Sequence, residues 1–218
     1  MTVRRLPALA ALLVAGAGCT SGTMARRPLP PPPASESRAG AADRSAGPAP
    51  ASAGRAVTDP RVRAAIETAS SLVGRRGVTV DGVDYGADCT ALVRASLTRA
   101  GRPPPPDARD AAGLHDFAAR RHALRTGRRL QPGDVLFLAN RPGGPPRHAG
   151  LVSRADPDGT AVVLYRVARG VSRLRVNLAW PQKTNDPSTG RLVNDTLYVG
   201  KEPVPAGSLV VGVADLLH

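Results

Sequence analysis

The chain has 218 residues, enough for one well-packed domain plus accessory segments, and carries 30 lysine and arginine residues against 17 aspartate and glutamate residues, a formal net charge of +13. Such a charge suggests nucleic acid, but three Tyr, two Phe and one Trp provide no platform for stacking bases. We therefore expect no nucleic-acid partner. The charge indicates either an anionic polymer or membrane surface as partner, or an arginine-rich composition without a binding role.

Residues 1–18 have the pattern of a secretory signal peptide, because a basic start precedes an apolar stretch, Leu6–Ala17, that is too short to span a membrane. Small residues then lead directly to Cys19, which resembles the lipobox of bacterial lipoproteins. The resemblance implies a lipid on Cys19 and a place in the cell envelope, in the periplasm. Thr20, rather than Asp, favours the outer membrane. Ordinary cleavage without a lipid is the alternative.

Residues 19–57 are almost entirely Pro, Ala, Ser, Gly and Arg, so they cannot bury enough apolar surface to offset the entropy cost of ordering. They are predicted to be a disordered tether. The remaining residues, 58–218, are predicted to form one domain without internal repeats.

Apolar periodicity predicts three helices in the first half of this domain, at about residues 60–74, 88–101 and 107–124. The first starts with Pro60 after a cap, the second is capped by Asp88, and the third is capped by Asp107. Residues 75–87 are predicted to be a loop.

The second half changes to strand patterns, with predicted strands at Val135–Leu138, His148–Val152 and Ala161–Tyr165. Asp156–Gly159 has the residue pattern of a type I turn and joins the last two strands as a hairpin. Helices followed by an antiparallel meander predict an α+β fold. The elements after Arg173 remain unassigned.

Cys89 lies in the first turn of the second predicted helix, where the helix dipole favours a thiolate. With Cys19 lipidated, it would have no partner for an internal disulfide. His148, which starts a strand, is the candidate base for this thiol. The alternatives are a core cysteine and a structural histidine. His115 and His122 are predicted to be surface residues, and no metal site is expected.

Three segments resemble motifs of the NlpC-like cell-wall cysteine peptidases, in the order of that family. Asp88–Val93 is similar to its Asp-Cys-Ser-Gly-hydrophobic-Val motif, and Leu130–Phe137 to its Leu-x-Pro-Gly-Asp segment. His148–Val152 is similar to its His-Val-Gly-Ile-Tyr strand. The resemblance covers about residues 60–166, extends to the related CHAP amidases, and implies a papain-like fold.

This resemblance implies that Cys89 is the nucleophile and His148 the general base, with no cofactor. It also implies that Asp88 helps to hold a free amino terminus of the substrate, and that Tyr85 and Thr90 line the substrate pocket. Two departures weaken the match. Thr-Ala replaces Ser-Gly after the cysteine, and the aromatic and glycine context usual around Tyr85 is missing.

The family's third polar residue comes from the next strand, and register arithmetic predicts Tyr165 for that place. A turn closed by Asp156 and Gly159 pairs Gly150 with Tyr165, which then shares a sheet face with His148. A tyrosine hydroxyl can accept a hydrogen bond from an imidazole N–H. A register slip of one residue would present Arg166 instead, and an ordinary strand aromatic is the alternative for Tyr165.

Our first hypothesis is therefore a monomeric, lipid-anchored cysteine hydrolase, an endopeptidase or amidase, that cuts an amide bond in peptidoglycan. A catalytically degenerate domain that binds peptidoglycan or an envelope partner is the second hypothesis, because the third polar residue and the residue after Thr90 are altered. Acyl transfer or lipid hydrolysis on the same scaffold is the third.

Overall fold

A computed structural model describes residues 57–127 and 129–218 of the chain. The predicted signal peptide, Cys19 and all but the last residue of the predicted tether lie outside the described residues. In the described part, no helix has the length and apolar character needed to cross a membrane.

Three α-helices occupy the first half of the described chain: α1 (Pro60–Ser71), α2 (Ala91–Arg99) and α3 (Ala111–Arg120). The start of α1 is as predicted. The Asp59 carboxylate accepts a hydrogen bond from the Arg61 N–H at 2.7 Å, and Pro60 occupies the first turn, where no backbone donor is needed.

The other two helices begin later than predicted. Thr90, not Asp88, is the N-cap residue of α2, because the Asp88 carboxylate is used in the preceding turn, where it accepts from the Thr90 N–H at 2.8 Å. Asp110, not Asp107, caps α3 by accepting from the Gly113 N–H at 2.7 Å. Both predictions of the capping residue were wrong by two or three positions.

A short hairpin, β1 (Thr79–Val80) and β2 (Val83–Asp84), interrupts the segment predicted to be a loop. Its two-residue turn is Asp81-Gly82, and both residues have positive φ, 49° and 79°. An Asp-Gly pair adopts this conformation readily, since Gly has no Cβ and Asp tolerates the left-handed region. The prediction of an irregular loop was wrong here.

The main sheet has five antiparallel strands in the order β6-β5-β4-β3-β9. They are β3 (Val135–Ala139), β4 (Pro146–Ala155), β5 (Thr160–Val167), β6 (Gly170–Asn177) and β9 (Val210–Ala214). A separate hairpin, β7 (Thr196–Val199) and β8 (Glu202–Pro205), and a 3₁₀ turn, Ala206–Leu209, lie between β6 and β9. The predicted α+β class with an antiparallel meander is confirmed.

The β4–β5 hairpin has the predicted turn and the predicted pairing. The Gly159 N–H donates to the Asp156 carbonyl at 3.0 Å, and Gly150 pairs with Tyr165. However, the hairpin closes between Asp156 and Thr160, one residue later than expected, and a bulge at Ser153 restores the register. The one-residue shift at the turn and the extra residue at the bulge cancel, so Gly150 pairs with Tyr165 as predicted.

Both faces of the main sheet are covered by apolar side chains. Alternate residues of β3, such as Val135 and Phe137, belong to the cluster packed with the three helices, while Leu136 and Leu138 belong to the opposite cluster. The second cluster includes side chains from β7, β8 and the 3₁₀ turn. The sheet is thus the central layer, which explains why all five residues of β3 are buried.

Candidate active site

Cys89 lies in the turn that precedes α2 and is a half-buried free thiol. Its Sγ donates a hydrogen bond to the Arg147 carbonyl oxygen at 3.1 Å. The fold therefore brings the thiol to the backbone of Arg147, the residue directly before His148. Cys89 and Arg147 are 58 positions apart in the chain.

A β-bulge at Arg147 accounts for this contact. His148 pairs with Leu138 and Pro146 pairs with Ala139, so Arg147 has no partner across β3. A bulge bends its strand and redirects the side chains around it, and such irregularities are frequent beside functional sites. Here the bulged residue, Arg147, is the one whose carbonyl contacts the thiol, and it directly precedes His148 in β4.

The thiol does not have the lowered pKa that the helix position predicted. Burial raises the pKa of Cys89, and the negative charge of Asp88 raises it further. The Cys89 backbone N–H and the more distant Arg166 act in the opposite direction, but they do not outweigh these effects. Because Cys89 precedes the helix instead of lying in its first turn, the dipole contribution is weaker than expected.

His148 is held by Asn140, the residue directly after β3. The Nε2 of His148 lies 2.8 Å from Asn140 Oδ1. A carbonyl oxygen only accepts, so Nε2 carries the hydrogen and Nδ1 keeps its lone pair. Burial lowers the pKa of His148, which keeps the ring neutral at neutral pH.

Asn140 was missed by the sequence analysis, which gave this orienting role to Tyr165. Among the described residues, Tyr165 makes no hydrogen bond to His148, although both side chains line one cavity of about 410 Å³. A signal for Asn140 was present, since an amide directly after a strand that pairs with the His148 strand is placed near that histidine. The third residue was expected on the strand after that of His148, which is β5 and carries Tyr165, whereas Asn140 follows β3.

The thiol and the imidazole are not joined by a hydrogen bond within the described part of the chain. The Cys89 thiol is directed to the Arg147 carbonyl, and the bonded nitrogen of His148 is directed to Asn140. The two groups lie beside the same bulge.

Asp88 is not free to bind an amine in this arrangement. Its Oδ2 forms an ion pair with Arg94 Nη2 at 2.7 Å, and its Oδ1 accepts from the Thr90 N–H. Burial opposes ionisation, but the Thr90 hydrogen bonds and the Arg94 charge keep the pKa of Asp88 below its ordinary value. The carboxylate is ionised and already paired.

The other two residues predicted to bind substrate lie near Asp88 but differ in exposure. Thr90 is fully buried, with Oγ1 at 2.7 Å from Asp88 Oδ1 and 2.6 Å from the Arg109 carbonyl oxygen, so it stabilises the turn. Tyr85 is half-buried and lines a second cavity, of about 440 Å³, with Asp88 and Arg94. Only Tyr85 and Asp88 of the three are reachable from that cavity.

The other two histidines predicted on the third helix differ from each other. His115, on α3, is partly buried and packs edge-on against Phe137, with ring centroids 5.1 Å apart, so its prediction as a surface residue was wrong. His122 follows the end of α3 and is exposed, as predicted. Within residues 57–127 and 129–218, no three side chains of His, Cys, Asp or Glu form a group that could hold a metal ion.

Comparison with known proteins gives a partial likeness to a solved structure. No protein-family model matches the chain, and no curated protein matches it. A crystal structure of an NlpC/P60 family protein from Bacillus cereus is similar over 72% of this chain, with 19% sequence identity and a TM-score of 0.43. The chain spans 40% of that protein. The site is therefore interpreted from its own geometry.

Proposed function

We propose that this chain is a cysteine hydrolase that cleaves an amide bond, with Cys89 as nucleophile, His148 as general base and Asn140 as the residue that orients the base. The observation that carries the proposal is the convergence of these groups at the Arg147 bulge. The thiol contacts the carbonyl that precedes His148, and His148 is held in the tautomer that a base needs.

The chemistry follows from that tautomer. The thiol proton passes to Nδ1 of His148, and the thiolate sulfur attacks the substrate carbonyl carbon to form a tetrahedral oxyanion, for which the Cys89 backbone N–H is the candidate donor. The imidazolium then gives its proton to the leaving amine, and a thioester remains on Cys89. Water, deprotonated by the neutral His148, hydrolyses the thioester and releases a carboxylic acid and the thiol.

For the substrate, we propose an amide bond in a peptidoglycan stem peptide, acted on by a papain-like domain in the cell envelope. The support is the order of the three motif-like segments together with the signal-peptide pattern and Cys19. A lipid on Cys19 would hold the enzyme at the membrane, and residues 20–57 would give it reach toward the polymer.

A second candidate is a domain that binds an envelope glycan or partner without hydrolysis. Two observations favour it. The pKa of the Cys89 thiol is raised, and Asp88, which the resemblance assigns to an amino terminus, is already paired with Arg94. In this case His148 and Asn140 would serve only as polar groups at a binding surface.

The decisive experiment compares muropeptide release from purified sacculi by the wild type and by Cys89→Ala. The hydrolase proposal expects release by the wild type and none by the variant. Ser71→Ala, on the exposed end of α1, serves as the matched control and should release as much as the wild type. Binding to sacculi by both proteins, without release by either, would favour the second candidate.

A further inference from the structure

The cavity beside His148 is enclosed by the main sheet on one side and by the β7–β8 hairpin on the other. Its sheet wall includes Leu138 and Val167, and its hairpin wall includes Leu197 and Val199. Leu209, from the 3₁₀ turn, contributes to the same lining. At about 410 Å³ the cavity is at the small end of ligand sites, which measure roughly 300–1,000 Å³.

The polar groups of this cavity are few and uncharged. Among the described residues that line it, none is Lys, Arg, Asp or Glu. Burial lowers the pKa of His148 and raises the pKa of Tyr165, so both are neutral at neutral pH. The negative charge of Asp195, which does not itself line the cavity, also raises the pKa of Tyr165.

We infer that this cavity binds an uncharged, apolar side chain next to the scissile amide of the substrate, and that Leu197 and Val199 determine this specificity. The inference rests on the proposed function, since it assigns the cavity to the substrate of that site. Asn140 and His148 mark the end at which the amide lies, because they line the cavity and belong to the proposed catalytic site, whereas the Cys89 thiol lies outside the lining, at the Arg147 carbonyl.

The physical reason is the cost of moving a charge into such a site. A carboxylate or ammonium group placed against Leu138, Leu197 and Leu209 would lose its water without gaining an ionic partner. An apolar side chain would instead displace water from apolar walls, which is favourable. The cavity is therefore expected to discriminate against charged side chains.

Two neighbouring positions of β7 supply a matched pair for testing this. Leu197 is partly buried and lines the cavity, as do Tyr198 and Val199, whereas Thr196 is exposed and does not line it. A lysine at position 197 would introduce a cation into the cavity, and a lysine at position 196 would add the same charge outside it.

The experiment measures binding by NMR titration to the Cys89→Ala protein, so that no turnover occurs. The probes are N-acetyl methylamides of norleucine, glutamate and lysine, and N-methyloctanamide. We expect the norleucine derivative to bind tighter than both charged derivatives by roughly tenfold or more. In Cys89→Ala with Leu197→Lys, the preference should shift to the glutamate derivative, while Cys89→Ala with Thr196→Lys should keep the original order.

Equal binding of charged and apolar probes, or an order that Leu197→Lys leaves unchanged, would overturn the inference. Binding of N-methyloctanamide alone would also overturn it, because the ligand would then be a long acyl chain. If the expected order holds but wild-type protein releases nothing from sacculi, the hydrolase proposal fails and the specificity of the cavity stands.

Discussion

At the scale of single residues, Asn140 determines which nitrogen of His148 can act as a base. Its Oδ1 requires a hydrogen on Nε2, which leaves the lone pair on Nδ1. A side chain without this oxygen would let the ring exchange tautomers and rotate. The main effect is expected on the orientation and proton state of His148.

Asn140→Ala is therefore expected to lower kcat by roughly tenfold or more with little change in KM, because oriented acid–base catalysis contributes about 10²–10⁴-fold to rates. Steady-state kinetics on a soluble muropeptide measures this. Tyr165→Phe should lower kcat less than Asn140→Ala, since the Tyr165 hydroxyl is not bonded to His148. The reverse order would restore Tyr165 as the orienting residue.

Asp88 contributes to the low reactivity of the thiol through its charge. Burial raises the thiol pKa most, and the carboxylate of Asp88, adjacent to Cys89 in sequence, raises it further. In the wild type, the thiolate fraction at neutral pH is thus smaller than for an ordinary cysteine, and it should increase as the pH rises through the raised pKa.

We expect Asp88→Asn to accelerate alkylation of Cys89 by iodoacetamide at pH 7.5 by roughly two- to fivefold, because a nearby negative charge is removed. The pH midpoint of alkylation should fall in the same variant. Asp81→Asn, whose carboxylate pairs with Arg99 and does not affect the thiol pKa, is the control. Identical rates for both variants would exclude the electrostatic explanation.

At the scale of elements, the β4–β5 hairpin carries His148 on β4 and Tyr165 on β5, and both line the cavity. Gly150, on β4, pairs with Tyr165. An added Cβ at Gly150 would lie 2.6 Å from Val163 Cγ1 and 3.0 Å from the Leu164 carbonyl oxygen. The second contact is with backbone, which cannot move without disturbing the strand pairing. Only glycine fits at this position.

Gly150→Ala is accordingly expected to reduce the free energy of unfolding by about 1–3 kcal/mol, the usual cost of overpacking. Gly77→Ala is a matched control, because an added Cβ there has no neighbour within 4 Å. Its effect should stay within about 0.5 kcal/mol. Urea unfolding of the two variants tests the difference, and equal midpoints would contradict the steric account.

Features of these elements that depend on neighbouring residues were predicted from the sequence. Features that depend on long-range strand pairing were not. Asp59-Pro60 located α1, and the turn Asp156–Gly159 located the hairpin, because each depends on neighbouring residues. The bulges at Ser153 and Arg147 could not be predicted, since they depend on how whole strands pair. The second of these bulges is what places the Cys89 thiol beside the His148 strand.

Two features that depend on neighbouring residues were nevertheless predicted wrongly from the sequence. Asp81-Gly82 is a typical hairpin pair, but two-residue strands are too short for a period to be recognised. Asp88 was predicted to cap α2 because aspartate is a good cap in general. Its side chain instead accepts a hydrogen bond from the Thr90 N–H in the turn that contains Cys89. The helix α2 therefore begins at Ala91, and the thiol lies before it.

At the scale of the whole molecule, Asn194 holds together the region that the sequence left unassigned. Its Oδ1 accepts from the N–H groups of Asn177 and Gly207 at 2.8 and 3.0 Å, and its Nδ2 donates to the carbonyls of Trp180 and Lys183 at 2.9 and 2.8 Å. This buried amide thereby connects the end of β6, the following loop and the 3₁₀ turn behind the cavity.

Asn194→Ala should lower the free energy of unfolding by about 3 kcal/mol, because buried backbone groups lose their partners. Asn185→Ala, at an exposed position, should change it by less than about 0.5 kcal/mol. Thermal unfolding distinguishes the two. Hydrogen exchange of β7 should also increase in Asn194→Ala only, since the hairpin follows Asn194 directly.

The contact between the Cys89 thiol and the Arg147 carbonyl also links the site to folding. The two residues are 58 positions apart, so no local structure can bring them together. The contact therefore requires the turn before α2 to meet β4. The residue proposed to react with substrate is thus also a natural reporter of this long-range step in assembling the domain.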